Sequence, residues 1–264
     1  MSYWDAVIIA IVEGLTEFLP VSSTGHMIIT EKLLGVKSND FTKLFTVGIQ
    51  LGAILAVIVL YWRRFVAPLQ TGNWNFYLKL IVAVLPALLL GFVFSKKIDV
   101  LLDSALTVAI SMIAGGFILL FIDRFFRKET IETETQIRYR GAFIIGLWQC
   151  IAMIPGVSRS AASIIGGMQQ HLSRRLAAEF SFFLAVPTMA AATGFKFFKG
   201  YQGLSQNDLT IFLLGNVVAF IVAVLAIKFF IRFLQKHGFW LFGWYRIVAG
   251  IALLVLVLTG FIHE

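Results

Sequence analysis

The chain is short of cysteine and of charge, and each shortage excludes something. Cys150 is the single cysteine, so no internal disulfide can form. Charged residues make up 14% of the sequence, where soluble domains usually carry about 25%. Also missing are a Walker A loop, a Cys/His metal spacing and a dinucleotide fingerprint, so no common nucleotide or zinc motif accounts for function. Asp5 and Glu13 interrupt the first apolar stretch and no basic leader precedes it, so it does not read as a cleavable signal.

What is present is apolar. Hydrophobic residues reach 59%, and the mean hydropathy is +0.89. Several apolar runs approach the ~20 residues of a bilayer-spanning helix. The pattern predicts six spans, at 41–62, 76–95, 105–122, 176–195, 209–230 and 242–261. Trp62, Trp74, Trp240, Trp244 and Tyr245 fall near span ends, where amphipathic rings favour the membrane interface. The 26 Phe residues lie inside the apolar runs and face lipid or other helices, not bases. The net charge of +8 is therefore assigned to topology, and nucleic acid is excluded as a partner.

Two further apolar segments, 4–34 and 141–171, are each broken near the middle, by Pro20 and Pro155. Each arm has about 11–16 residues, too few to cross an apolar core of about 30 Å at 1.5 Å per residue. A re-entrant hairpin is the economical reading, and both breaks must then be buried around a cavity. The segments also resemble one another. Gly14-Leu15-Thr16-Glu17 matches Gly146-Leu147-Trp148-Gln149, and Pro20-Val21-Ser22-Ser23 matches Pro155-Gly156-Val157-Ser158. At the 135-residue offset of the second pair, Ser38 falls on Ser173 and Phe45 on Phe180.

The expected fold is thus an all-α polytopic membrane protein with six transmembrane helices and two broken re-entrant hairpins. Residues 1–124 form one repeat, 125–140 a solvated polar linker, and 141–264 a second repeat. Three spans per repeat force the second to be inverted, a plan that builds sites where broken helices meet. One membrane face would hold Arg63, Arg64, Arg124, Arg127, Lys128, Arg138, Arg140, Arg174, Arg175, Arg232 and Lys236. The other would hold Lys32, Lys37, Lys43, Lys96, Lys97, Lys196 and Lys199. The richer face is expected in the cytoplasm, which puts both termini outside.

The chemistry-bearing residues gather at the breaks. Glu13 and Glu17 stand four apart and share a helix face; two buried carboxylates call for a proton or a shared cation. After Pro20, one of Ser22, Ser23 and Thr24 would cap the outgoing helix, whose N-terminus is an anion site, and His26 lies about one turn in. The second break offers Ser158, Arg159, Ser160 and Ser163. Arg159 reads as the one arginine at membrane depth, with a planar fork suited to phosphate. A salt bridge from Arg159 to Glu13 or Glu17 is the structural alternative, compatible with a resting site. Gln149 aligns with Glu17 as a neutral cavity-lining counterpart. Together these groups indicate a phosphate or diphosphate ligand, a hydroxyl or imidazole nucleophile, and carboxylates acting as base or metal site. His171, His237 and His263 read as solvated interface residues. Glu179 reads as the ion-pair partner of Arg174 or Arg175, and Gly115-Gly116 and Gly166-Gly167 as close-packing glycines.

At these residues the chain resembles the bacterial undecaprenyl pyrophosphate phosphatases of the bacitracin-resistance (BacA) type. Their ExxxE and PxSSxGH run stands here from Glu13 to His26, and their PGxSRSxxT run stands from Pro155 to Ser163. Ser163 replaces the usual Thr, and Ala161 a frequent Gly. The Glu179–Pro187 stretch is also similar to the family's, whereas the motif of acid-phosphatase-type lipid phosphatases is absent. The resemblance implies hydrolysis of a polyprenyl diphosphate to the monophosphate, recycling a lipid carrier for cell-wall synthesis. It also implies a divalent cation, magnesium or calcium, on Glu13 and Glu17, and a site in the bacterial cytoplasmic membrane open to the outer face. Carried over, Ser23 is the nucleophile, with His26 or Glu17 taking its proton and His26 the alternative nucleophile. Arg159, Ser158 and Ser163 stabilise phosphoryl charge, joined by Ser22, Thr24 and Ser160 in binding phosphate. A lipid flippase or transporter of the same architecture is the competing expectation.

Overall fold

The computed structural model describes residues 1–37, 39–102, 104–126, 128–200 and 205–262, with the backbone alone at 96–100, 102 and 197–200. Ser38, Arg127 and His263, and the side chains of Lys96, Lys97 and Lys199, invoked above, lie outside the described residues. Helices α1 (Tyr3–Thr16) and α2 (Ser23–Leu33) flank the first break. They are followed by α3 (Asp40–Gly48), α4 (Gln50–Leu60), α5 (Trp62–Thr71), α6 (Asn75–Leu102) and α7 (Ala105–Phe125). Helices α8 (Tyr139–Ile151) and α9 (Arg159–Gln169) flank the second break, and α10 (Arg174–Gly200), α11 (Gln206–His237) and α12 (Trp240–Leu258) complete the chain.

Six stretches are long and apolar enough to cross a membrane: Asp40–Leu60, Asn75–Ser95, Ala105–Phe125, Arg174–Lys196, Gln206–His237 and Trp240–Leu258. The molecule is an all-helical, multi-pass membrane protein, and each stretch coincides with a predicted span. Helix α11 runs beyond its predicted ends for local reasons. A capping box of Ser205 and Asp208 starts it, and nothing breaks it before Gly238, whose φ of +67° stops the helix.

The breaks follow from proline and serine chemistry. Helix α1 ends at Thr16 and α8 at Ile151, each four residues before its proline, which cannot extend a helix interior. The next helices begin at residues with matching backbones. Ser22 (φ 73°) and Ser158 (φ 74°) are the N-caps, and their hydroxyl oxygens accept from Gly25 N–H at 3.5 Å and Ala161 N–H at 3.3 Å. Matching Ser22 to Ser158 shifts the predicted alignment by one residue, so Ser23 is the counterpart of Arg159. At 14 and 13 residues, α1 and α8 are about 20 Å long, short of a hydrocarbon core of about 30 Å.

Small residues set the packing around the breaks. Helix α1 lies along α11, α8 along α6, α7 along α12, and α9 against α10. A Cβ on Gly14 would come within 2.8 Å of the Ala219 carbonyl on α11, and one on Gly146 would strike Ala83 on α6. Backbones this close are how helices gain contact where lipid offers no hydrophobic drive. Phe18, between the arms of the first break, packs edge-on to Phe182 at 5.4 Å.

The linker is exposed along most of its described length, as expected, yet it is docked. Ser173 N–H donates to the Ile131 carbonyl at 2.9 Å, Ile137 is buried, and Lys79 Nζ reaches the carbonyls of Glu134 and Thr135 at 2.8 and 3.0 Å. A lysine at a helix end and one apolar side chain suffice to dock a polar segment. Nearby, Asp123 at the end of α7 accepts from Arg174 Nε at 2.6 Å and from Phe239 N–H at 2.8 Å, joining the starts of α10 and α12. Asp123→Ala leaves that amide unpaired and leaves Arg174 only its 3.9 Å pairing with Glu129, with an expected loss of about 1–3 kcal/mol, read as a lower melting temperature in detergent.

Candidate active site

The two breaks meet, and Glu17 is where they meet. Glu13 on α1 and Glu17 at its C-cap stack one turn apart and are 1% and 8% exposed. Ser23, the first residue of α2, donates from Oγ to Glu17 Oε2 at 2.7 Å. Arg159, the first residue of α9, brings Nη2 to 3.3 Å from Glu17 Oε1. Its Nη1 donates to the Ser181 carbonyl at 3.0 Å, and its guanidinium lies 6.0 Å from the centre of the Phe18 ring. One carboxylate therefore holds a hydroxyl with one oxygen and a guanidinium with the other. The predicted salt bridge exists, to Glu17. Two buried polar atoms here, Glu13 Oε1 and Arg159 Nε, have no hydrogen-bond partner, and Gln149 Oε1 on α8 is likewise buried without one. Unpaired atoms in an apolar interior are costly, so a site that leaves both donors and acceptors open is shaped for a polar guest.

Other predicted residues take distinct positions. Ser160 Oγ donates to the Leu19 carbonyl at 2.8 Å, tying the second break to the first, and lies 3.0 Å from Ser158 Oγ. Ser22 is buried at its cap, and Thr24 is half-buried on the first turn of α2. Ser163 Oγ turns toward α10, 2.7 Å from Ser181 Oγ and 2.8 Å from the Arg159 carbonyl. Gln149 Nε2 donates to Thr188 Oγ1 at 3.3 Å. His26 is held away from Ser23: Nδ1 is 2.7 Å from the Ser22 carbonyl and Nε2 is 2.7 Å from Tyr245 Oη, with the rings stacked. Tyr245, expected only as an interface aromatic, thus orients His26. Glu179 pairs with Arg175 at 2.8 Å, and His171 and His237 are exposed. Among the described residues, no three His, Cys, Asp or Glu side chains cluster as a metal site.

The reading of Arg159 as the sole deep arginine is corrected by Arg246. It lies on α12, is fully buried, and has no acidic partner among the described residues. Its N–H groups donate to backbone carbonyls only: Nε to Met112, Nη1 to Pro20 and Val157, and Nη2 to Ser111 and Gly156. It follows Trp244 and Tyr245, where a basic residue reads as a snorkelling interface group. The available signal was an arginine inside an apolar run with no acid nearby.

Fold and site together define a multi-pass helical membrane protein with a buried acid–hydroxyl–guanidinium centre at the junction of two helix N-termini. The chain belongs to the bacitracin resistance protein BacA family, whose model matches residues 6–252. It is 58% identical to an undecaprenyl-diphosphatase of Flavobacterium psychrophilum, covering 100% of this chain and 98% of the relative. Undecaprenyl-diphosphatases of Porphyromonas gingivalis and Aquifex aeolicus are 50% and 44% identical, over 98% and 95% of this chain and 98% and 97% of their own lengths.

The positive φ of the two caps yields a stability prediction. Ser22→Gly keeps the backbone unstrained and loses only the cap oxygen, whereas Ser22→Ala loses the oxygen and adds left-handed strain. Thermal unfolding is expected to rank Ala below Gly by about 1 kcal/mol, and likewise at Ser158.

Proposed function

We propose that this chain hydrolyses undecaprenyl diphosphate to the monophosphate and inorganic phosphate, in the manner its relatives' names describe. The observation that carries the mechanism is the 2.7 Å contact between Ser23 Oγ and Glu17 Oε2. As the Ser23 Oγ–P bond forms at the terminal phosphorus, the bridging P–O bond breaks, the lipid monophosphate leaves, and Glu17 takes the hydroxyl proton. Water then attacks the phosphoseryl phosphorus, releasing phosphate and restoring the hydroxyl. Arg159 turns its unpaired Nε and its fork to the headgroup, and the helix N-termini behind Ser22 and Ser158 add N–H groups, joined by Thr24, Ser160 and Ser163. A headgroup that draws Arg159 away from Glu17 leaves that carboxylate free to accept the proton. With both ring nitrogens engaged, His26 acts by holding the Ser22 carbonyl.

The donor set fits a hard divalent cation, magnesium or calcium. Glu13 Oε1 has no protein partner, and the Glu13 carboxyl lies beside Glu17 and Gln50. These two carboxylates would hold the cation. When bound, it supplies charge neutralisation on the phosphoryl oxygens.

The finer architecture is part of the same reading. The arms at 4–34 and 141–171 are re-entrant, and 1–124 and 141–264 are inverted repeats joined by the linker at 125–140. Support comes from exchanged packing: α1 lies on α11 as α8 lies on α6, with Gly14 and Gly146 at equivalent close approaches. The charge bias puts the linker side in the cytoplasm of the bacterial inner membrane, with both termini and the site mouth outside. Such a fold also suits a lipid flippase. A phosphate clamp alone needs no hydroxyl–carboxylate pair, and that pair favours hydrolysis.

Phosphate release from undecaprenyl diphosphate by the purified chain is the test. Ser23→Ala and Arg159→Ala are each expected to lower kcat by about 10²–10⁴-fold; full activity in both would sink the assignment. Movement of lipid across liposomes without phosphate release would favour transport. Chelation is expected to abolish turnover, magnesium or calcium to restore it, and Glu13→Gln to raise the cation concentration required by roughly tenfold.

A further inference from the structure

The two breaks are not joined by covalent structure, yet the site requires Ser23 and Arg159 to sit on either side of one carboxylate. Pro20 lies three residues before Ser23, and Gly156 and Val157 lie just before Arg159. The Arg246 guanidinium donates to all three of their carbonyls, at 3.2, 2.8 and 2.9 Å. Its other bonds, to Met112 at 3.3 Å and Ser111 at 3.2 Å, fasten the same planar group to α7. All five N–H donors of the side chain are used, in a fork whose geometry is fixed.

We propose that Arg246 is a positioning residue that sets the distance between the nucleophile arm and the phosphate-clamp arm, and that Gly115 exists to leave it room. This rests on the hydrolase reading above. No acid pairs with Arg246 among the described residues, so its five carbonyl bonds define its contacts. A lysine, with one nitrogen and three donors, cannot span both breaks and α7 at once. Gly115 looks from sequence like a close-packing glycine, but what a Cβ there would meet first is Arg246: it would lie 2.8 Å from Cζ and closer still to Nη2. Neighbouring Gly116 is the one that faces a helix backbone, at the Gly243 carbonyl. An alanine at 115 suits helix α7 and touches no residue of the site, yet it pushes the guanidinium off the Ser111 and Gly156 carbonyls. The headgroup would still find Arg159 and the helix N-termini, so binding persists. What is lost is alignment of Ser23 Oγ with the phosphorus, and a misplacement of about 1 Å can cost about 10²-fold in rate.

The experiment compares the purified full-length chain with Gly115→Ala and Arg246→Lys on undecaprenyl diphosphate, measuring kcat, KM and melting temperature. For Gly115→Ala, kcat is expected to fall roughly 10–100-fold while KM stays within about threefold; the melting temperature is lowered as the displaced carbonyls lose their donor, with the chain still folded at the assay temperature. Arg246→Lys should move kcat further in the same direction; if it does not fold, Gly115→Ala decides alone. A kcat within threefold of the parent in folded Gly115→Ala overturns the inference. So does a loss of kcat that disappears when the assay temperature is lowered well below the variant's melting temperature. A parent chain that releases no phosphate would instead overturn the hydrolase reading, and this inference with it.

Discussion

A helix interrupted in a buried interior leaves carbonyl and N–H groups that need partners, and each one left unpaired costs free energy. In this protein the carbonyls of both interruptions converge on one guanidinium. Arg246 takes Pro20 from the first break and Gly156 and Val157 from the second. The freed N–H groups are handled at the other side of each break, where Ser22 and Ser158 turn back as caps. With these carbonyls drawn to Arg246, the first residues of α2 and α9, Ser23 and Arg159, both reach Glu17. The site is a consequence of satisfying the backbone there.

The two breaks share a backbone and differ in cargo. Ser23 and Arg159 occupy the same position after their caps, one a hydroxyl and the other a guanidinium, and Glu17 bonds to both. Acids precede only the first break, as Glu13 and Glu17; residues 139–158 contain none. This arrangement puts a hydroxyl and a guanidinium on opposite arms, on either side of one carboxylate.

Close approach of helices makes that placement firm. Gly14 and Gly146 let the incoming arms press onto α11 and α6, where a single methyl group would collide. Ser160 adds a direct bond from one break to the other through the Leu19 carbonyl. The linker contributes at one end, where Lys79 fastens it by two carbonyls.

Much of this was legible in the sequence, because the bilayer imposes one-dimensional rules. Span lengths, the prolines, capping serines and charges out of place in apolar runs need no knowledge of neighbours, and they led to six spans, two breaks, and the residues Glu13, Glu17, Ser23 and Arg159. What the sequence withheld were pairings across helices. That His26 would face Tyr245, that Ser163 would face Ser181, and that Arg246 would be buried among carbonyls depend on which surfaces α12 and α10 turn inward. An arginine near tryptophan reads locally as an interface residue. Only the meeting of α12 with two broken helices, each with unpaired carbonyls, makes the interior the better solvent for it.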